Sequence, residues 1–153
     1  MMRTQSICSI PLLLAAFALS SCCTGVRPTP LDRTVELDRA GWLLRADFIA
    51  ASGRMQVAET EYYQERGKLP TRNQDAGLPA PDEYRGKTLR SAGIQPDGTI
   101  VFVFDAKSGV DGGRVRMVPD TSHVAAMSVQ WRCESADYAQ IQRVIPSCDY
   151  VSR

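Results

Sequence analysis

TVELDRAGWLLRADFIAASGRMQVAETEYYQER, residues 34–66, is the stretch that decides the fold. Leu37, Leu44, Phe48, Ala51, Met55, Ala58 and Tyr62 recur in it at steps of three, four or seven. Such steps place side chains on one face of an α-helix. Glu36 and Asp38 suit the positive end of the helix dipole, and Arg66 suits the negative end. Gly67 and then Pro70 stop the helix. At 1.5 Å per residue the predicted helix is about 50 Å long. Trp42 and Ile49 fall beside the stripe, so the apolar face reads as wide at its start. A seam of about four heptads suits either a coiled coil or a helix laid on its own domain, more often the latter.

Beyond the helix the periodicity changes. Residues 71–86 are polar, with Gly77, Pro79 and Pro81, and read as a loop. Residues 88–95 read as a strand, and Pro96-Asp97-Gly98 as a turn with proline at its second position. Thr99-Ile100-Val101-Phe102-Val103-Phe104 is β-rich and apolar on both faces, which predicts a central strand. Residues 107–113 hold three glycines and form a loop. Residues 114–119 alternate basic and apolar. Met127, Val129, Trp131 and Cys133 then alternate with Ser128, Gln130 and Arg132. Short connections predict an antiparallel meander with one face to bury, and the long helix supplies the cover. The expected fold is therefore α+β: a long N-terminal helix packed on a four-stranded antiparallel sheet.

Upstream of the helix the sequence changes character. Arg3 is the only charge in residues 1–21, and a short apolar run from Ile10 to Leu19 follows it. That run fits a secretory signal and is too short to span a bilayer. Leu19-Ser20-Ser21-Cys22 resembles the bacterial lipoprotein box, which implies cleavage before Cys22 and lipidation of that cysteine. An ordinary signal cut nearby, leaving Cys22 and Cys23 as free thiols, is the competing reading. Two or three acyl chains would anchor the protein stably, where one holds only marginally. Cys23, in place of an aspartate, implies release to the outer membrane. Pro28, Pro30 and Gly25 make residues 22–33 an extended tether. The expected organisation is a signal over 1–21, a tether over 22–33 and one domain over 34–153.

Composition excludes several function classes. Of 153 residues, 18 are basic and 17 acidic. Removing residues 1–21 takes away Arg3 and leaves a net charge of zero, so a broad basic clamp on nucleic acid is not expected. One histidine, His123, excludes a multi-histidine metal site. Of five cysteines, Cys8 leaves with the signal, Cys22 takes the lipid and Cys23 is left over. Cys133 and Cys148 then pair in an oxidising compartment. Closing a loop of about 15 residues this way stabilises by about 3 kcal/mol. A redox or nucleophilic cysteine is the rival, but neither residue stands in a CxxC.

These pieces, taken in order, resemble a type IV pilin. Glu61-Tyr62-Tyr63 followed by Gly67-Lys68-Leu69-Pro70 resembles the end of the pilin helix. Asn73 and Ala76-Gly77-Leu78 resemble the start of its loop, and Gly98 to Phe104 its second strand. Trp131-Arg132-Cys133 and Ile145-Pro146-Ser147-Cys148 resemble the bounds of its C-terminal disulfide loop. The resemblance departs at the N-terminus. A pilin has a prepilin-peptidase site and an apolar half-helix there, whereas Glu36, Asp38, Arg39, Arg45 and Asp47 stand in this segment. Such charges carry large desolvation costs in a filament core or bilayer. The resemblance thus implies a pilin head on a lipid anchor, one that does not polymerise as a pilin does.

Catalysis finds little support. Asp120, Ser122 and His123 are sequence neighbours, and triad members usually come from distant segments. Asp105 and Asp111 lack the acidic density of a calcium loop. Arg114 and Arg116 share a strand face that Arg132, and Arg143 further on, extend; they are candidate partner contacts or a solvated face. Trp131 reads as core beside the disulfide. The expected function is non-enzymatic: an outer-membrane lipoprotein that engages a pilus component in adhesion, pilus function or interference with it. It requires no cofactor, metal or small-molecule substrate. Loop 71–86 and the segment 133–148 are the expected contact surfaces. The alternatives are a periplasmic ligand-binding or enzymatic protein reusing the fold, which needs a deep pocket, and an anchored DNA-binding competence factor.

Overall fold

The computed structural model of the protein describes residues 30–122 and 129–152, with side chains from residue 38 onward. The signal, Cys22, Cys23, the tether as far as residue 29, the side chain of Leu37, His123 and Met127 lie outside the described residues. Helix α1 spans Pro30–Arg66 and begins four residues earlier than the sequence pattern predicts. Proline is well placed in a first helical turn, where its missing N–H has no partner to lose. Gly67 ends the helix at a positive φ of 66°, and its N–H donates to the Tyr63 carbonyl at 2.8 Å.

Among the described residues the sheet has five strands in the order β1 (Leu89–Ile94), β2 (Ile100–Phe104), β3 (Arg114–Asp120), β4 (Gln130–Ser135) and β5 (Cys148–Tyr150). The first four form the expected antiparallel meander. The fifth, missed from the sequence, runs parallel to β4 with Cys148 opposite Cys133. Its three residues carry no period-two signal. The Cys133–Cys148 disulfide sets it beside β4, after a return through the one-turn helix α2 (Ile141–Val144). The β1–β2 turn is as predicted: Gly98 takes φ 80°, and its N–H donates to the Gln95 carbonyl at 2.9 Å.

Leu44, Phe48, Ala51 and Met55 of α1 are buried against Ile94, Ile100, Phe102, Phe104, Val115 and Met117 of the sheet. Phe48 meets Phe102 edge-on at 5.0 Å between ring centroids. The predicted stripe is thus the core face, with Ala58 and Tyr62 half-buried at its far end. Trp42 and Ile49 correct the expectation of a wide apolar face. They are 75% and 56% exposed, and at 100° per residue they lie almost opposite the core stripe. One core position carries a charge-bearing group: Glu59, four residues after Met55, is fully buried.

Asp47 ties the helix to the sheet. Its Oδ2 accepts from the Thr88 N–H at 2.6 Å, the Thr88 hydroxyl at 2.8 Å and the Leu89 N–H at 3.0 Å. Burial pushes its pKa up, but these hydrogen bonds together outweigh that and hold it below the ordinary carboxylate value. Gly86 lies so close that an added Cβ would collide with the Asp47 carboxylate.

Candidate partner-binding surfaces

The two predicted contact segments lie at opposite edges of the sheet. Loop 71–86 runs along the β1 edge and contains two single 3-10 turns, Asn73–Ala76 and Pro81–Glu83. Asn73 holds it in place. Its Oδ1 accepts from the Ile94 N–H at 2.8 Å, and its Nδ2 donates to the carbonyls of Ala92 at 3.1 Å and Pro79 at 2.8 Å. The side chain thereby imitates a neighbouring strand and closes an edge that would otherwise offer free backbone groups. Gly93 permits the approach, since an added Cβ would meet the Pro81 ring at 3.1 Å. Asp75 braces the loop from within, accepting from Thr71 and Arg72.

The segment closed by Cys133 and Cys148 forms the other edge. Ile141 and Ile145 are buried, while Gln140, Gln142, Arg143, Pro146 and Ser147 face solvent. Tyr138 pins the segment to the β2–β3 loop: its hydroxyl lies 2.6 Å from the Ser108 hydroxyl, and its ring meets Phe104 edge-on. Burial pushes the Tyr138 phenol up to about 12. Gly113 leaves room for this ring, because a Cβ there would collide with it. On the other side α1 reaches the segment directly. Arg45 donates to the Val144 carbonyl at 3.1 Å, and Gly41 lets Val144 pack closely. The exposed side chains of this edge therefore stand on a backbone fixed from three directions.

Arg114, Arg116 and Arg132 come together on the sheet face turned away from α1, and all three are exposed. That face is mixed in charge. Arg116 pairs with Glu134 at 3.0 Å, and the Arg114 backbone N–H donates to Asp137 at 2.9 Å. An open hollow of about 570 Å³ lies here, lined by Gln95, Asp97, Val101, Arg114, Arg116 and Asp137. Arg143 lies apart, on α2, where it donates to Gln140. A second open hollow of about 370 Å³ lies on the helix side, between α1 and the disulfide segment. Trp131, expected in the core, is half-exposed at its lip.

The residues weighed for catalysis or metal have other work. Asp120 accepts from the Ser122 N–H at 2.9 Å, a turn contact, and His123 lies outside the described residues. Asp105 caps the turn Ala106–Ser108 by accepting from the Lys107 N–H, whereas Asp111 pairs with Arg90 at 2.8 Å. No group of three or more candidate metal ligands occurs among the described residues. No described helix is long and apolar enough to cross a membrane.

Sequence reasoning missed Glu59. Among the described residues its carboxylate has no hydrogen-bond partner, and burial, then the charge of Asp97, raises it from 4.5 to about 8. Its spacing from Phe48 and Met55 was the available signal. Asp47 was also missed as a clamp, because its partners Thr88 and Leu89 are about forty residues away.

A family model described as pilin (bacterial filament) matches residues 46–149, more than half of the chain. No curated protein matches it.

Proposed function

The chain belongs to the pilin family, and from that premise we propose that it is a lipid-anchored pilin head that docks on a component of the type IV pilus. The family is one of structural, filament-forming proteins of the cell envelope, so the role is that of a protein binder. The observation that carries the reading is the rigid presentation of segment 133–148. The disulfide, Tyr138 and Arg45 fix its backbone, and its solvent-facing side chains need little further ordering on contact. The anchor rests on Leu19-Ser20-Ser21-Cys22, and assignment to the outer membrane on Cys23. Charges such as Arg39, Arg45 and Asp47 on α1 argue against packing in a filament core.

The DNA-binding alternative is disfavoured, since Glu134, Asp97 and Asp137 interleave with the arginines of the outer face. Both hollows open to solvent, unlike the deep pocket an enzyme or ligand carrier needs.

Fractionation in the host tests the proposal. Sheared pili and outer membranes are separated, and both are probed for the protein. The expected result is a membrane-fraction protein that Cys22→Ser releases and that captures pili added back. Detergent-resistant residence within the pilus, or membrane association unaffected by Cys22→Ser, would contradict it.

A further inference from the structure

The outward face of α1 is built to meet something. Trp42, Ala46, Ile49, Gly53 and Val57 follow one another along it, and no charged residue interrupts the row. Trp42 is 75% exposed, Ile49 56% and Val57 57%. Single exposed apolar residues are ordinary, but a row with a tryptophan at one end is not. Gly53 adds an independent sign. It lies in the helix interior, where glycine costs about 1 kcal/mol relative to alanine. The described residues give no reason for it, since an added Cβ would meet none of them within 4 Å. A missing side chain on an exposed helix face allows a second backbone to come close.

We infer that this face pairs with the same face of a second copy of the chain, antiparallel and about a two-fold axis. A two-fold contact requires a projection and a recess on one surface. Trp42 is the projection. The recess is the 370 Å³ hollow beside the row, lined by Phe48, Ser52, Gln56, Trp131, Ile145 and Pro146. Its helical walls centre near residue 52, about ten residues or ~15 Å along the helix from Trp42. Antiparallel helices whose axis passes near residues 47–48 bring each tryptophan over the other copy's hollow. Ala46 and Ile49 then meet at the crossing, and Gly53 lies opposite the other copy's Trp42, where its missing side chain permits a close approach.

Charge fits the same register. Arg39 and Glu61 are exposed on one flank of the row and have no ion-pair or hydrogen-bond partner among the described residues. In antiparallel pairing that flank meets its own counterpart, and Arg39 of one copy lies within about a turn and a half of the other copy's Glu61. Helical side chains lean toward their own N-terminus. In this arrangement the two lean toward each other, and the pair occurs twice. Such a closed pair covers Ile145 and Pro146 of the disulfide segment but leaves Gln140, Gln142 and Arg143, which do not line the hollow, for the pilus docking proposed above, and it does not propagate into a filament.

Sedimentation of the purified full chain in mild detergent, over a range of concentrations, tests the inference. A reversible monomer–dimer equilibrium is expected. Trp42→Ala weakens it by about tenfold or more, with an unchanged circular-dichroism spectrum. Gly53→Gln weakens it too, while Gly53→Ala raises the melting temperature of the monomer. Arg39→Glu and Glu61→Arg each weaken the dimer several-fold, and the double variant restores most of it. Two results would overturn the inference. One is a dimer indifferent to Trp42→Ala and to the charge swap, which would place the contact elsewhere. The other is a chain that stays monomeric at every concentration. A tryptophan-emission shift on anionic vesicles, lost in Trp42→Ala, would then make a lipid surface the occupant.

Discussion

The two edges of the sheet are closed by different means. At β1 a single asparagine side chain does the work through three hydrogen bonds, and the loop it holds is otherwise braced by surface polar contacts. At β5 a covalent bond, a half-buried tyrosine and a helix arginine all converge. Hydrogen bonds of the first kind exchange with water as the edge opens, and each contributes only about 1 kcal/mol net. A disulfide constrains the chain even when the edge opens. The disulfide edge is therefore expected to hold its shape longest, and the asparagine edge to yield first.

The strongest lever on that contrast is pH. Glu59 sits fully buried in α1 near the β1–β2 turn, close enough for Asp97 to act on it. Its folded pKa is raised from 4.5 to about 8, so the native state holds a proton that the unfolded chain gives up. Stability is therefore full below about pH 4.5 and falls as pH rises to about 8, by a total on the order of 4 kcal/mol. Denaturant unfolding at several pH values should show the fall, and Glu59→Gln should flatten it. Native-state hydrogen exchange should place the added opening at the helix C-terminal half and the β1–β2 turn, with β4 and β5 protected longest.

Next in size, Cys133→Ser/Cys148→Ser should cost about 3 kcal/mol, read from the urea midpoint. It should release β5 and α2 while β1–β3 keep their protection. Loss of the β1 edge instead would mean that the two edges are not closed independently. Asn73→Ala should cost about 2 kcal/mol, because it strands the Ile94 N–H and two carbonyls. Its effect should appear as faster proteolysis within 71–86, and pilus binding should be retained. Smallest is Arg116→Ala. Its ion pair with Glu134 is partly exposed and should contribute below about 1 kcal/mol to the melting transition.

Local pattern carried most of this architecture. The 3.6-residue stripe located the helix and its core face, and the β-rich apolar run 99–104 with the alternation about Trp131 located the meander. What stayed hidden depended on distance along the chain. β5 exists because a disulfide brings Cys148 to Cys133, and three residues hold no period. The service of Asp47 to Thr88, and the closing of the β1 edge by Asn73, are contacts between segments that no window spans. Trp42 and Ile49 are a simpler case. Their apolar character suggests core, whereas their angle around the helix already sets them on the opposite side. For the contact surfaces, the sequence marked the segments and the arginines. The Arg116–Glu134 pairing and the separation of the two loops to opposite edges emerged only in the fold.

If the disulfide edge is where this head meets its partner, its exposed side chains decide the affinity. Binding of the full chain to purified pili reads this out, with Gln142, Arg143 and Ser147 replaced together and the melting temperature held as the control for folding. That replacement should abolish binding, while replacement of the exposed Gln74, Asp82 and Glu83 on the opposite edge should leave it intact. Undiminished binding by the first variant, with loss in the second, would move the contact to the asparagine edge and refute the assignment.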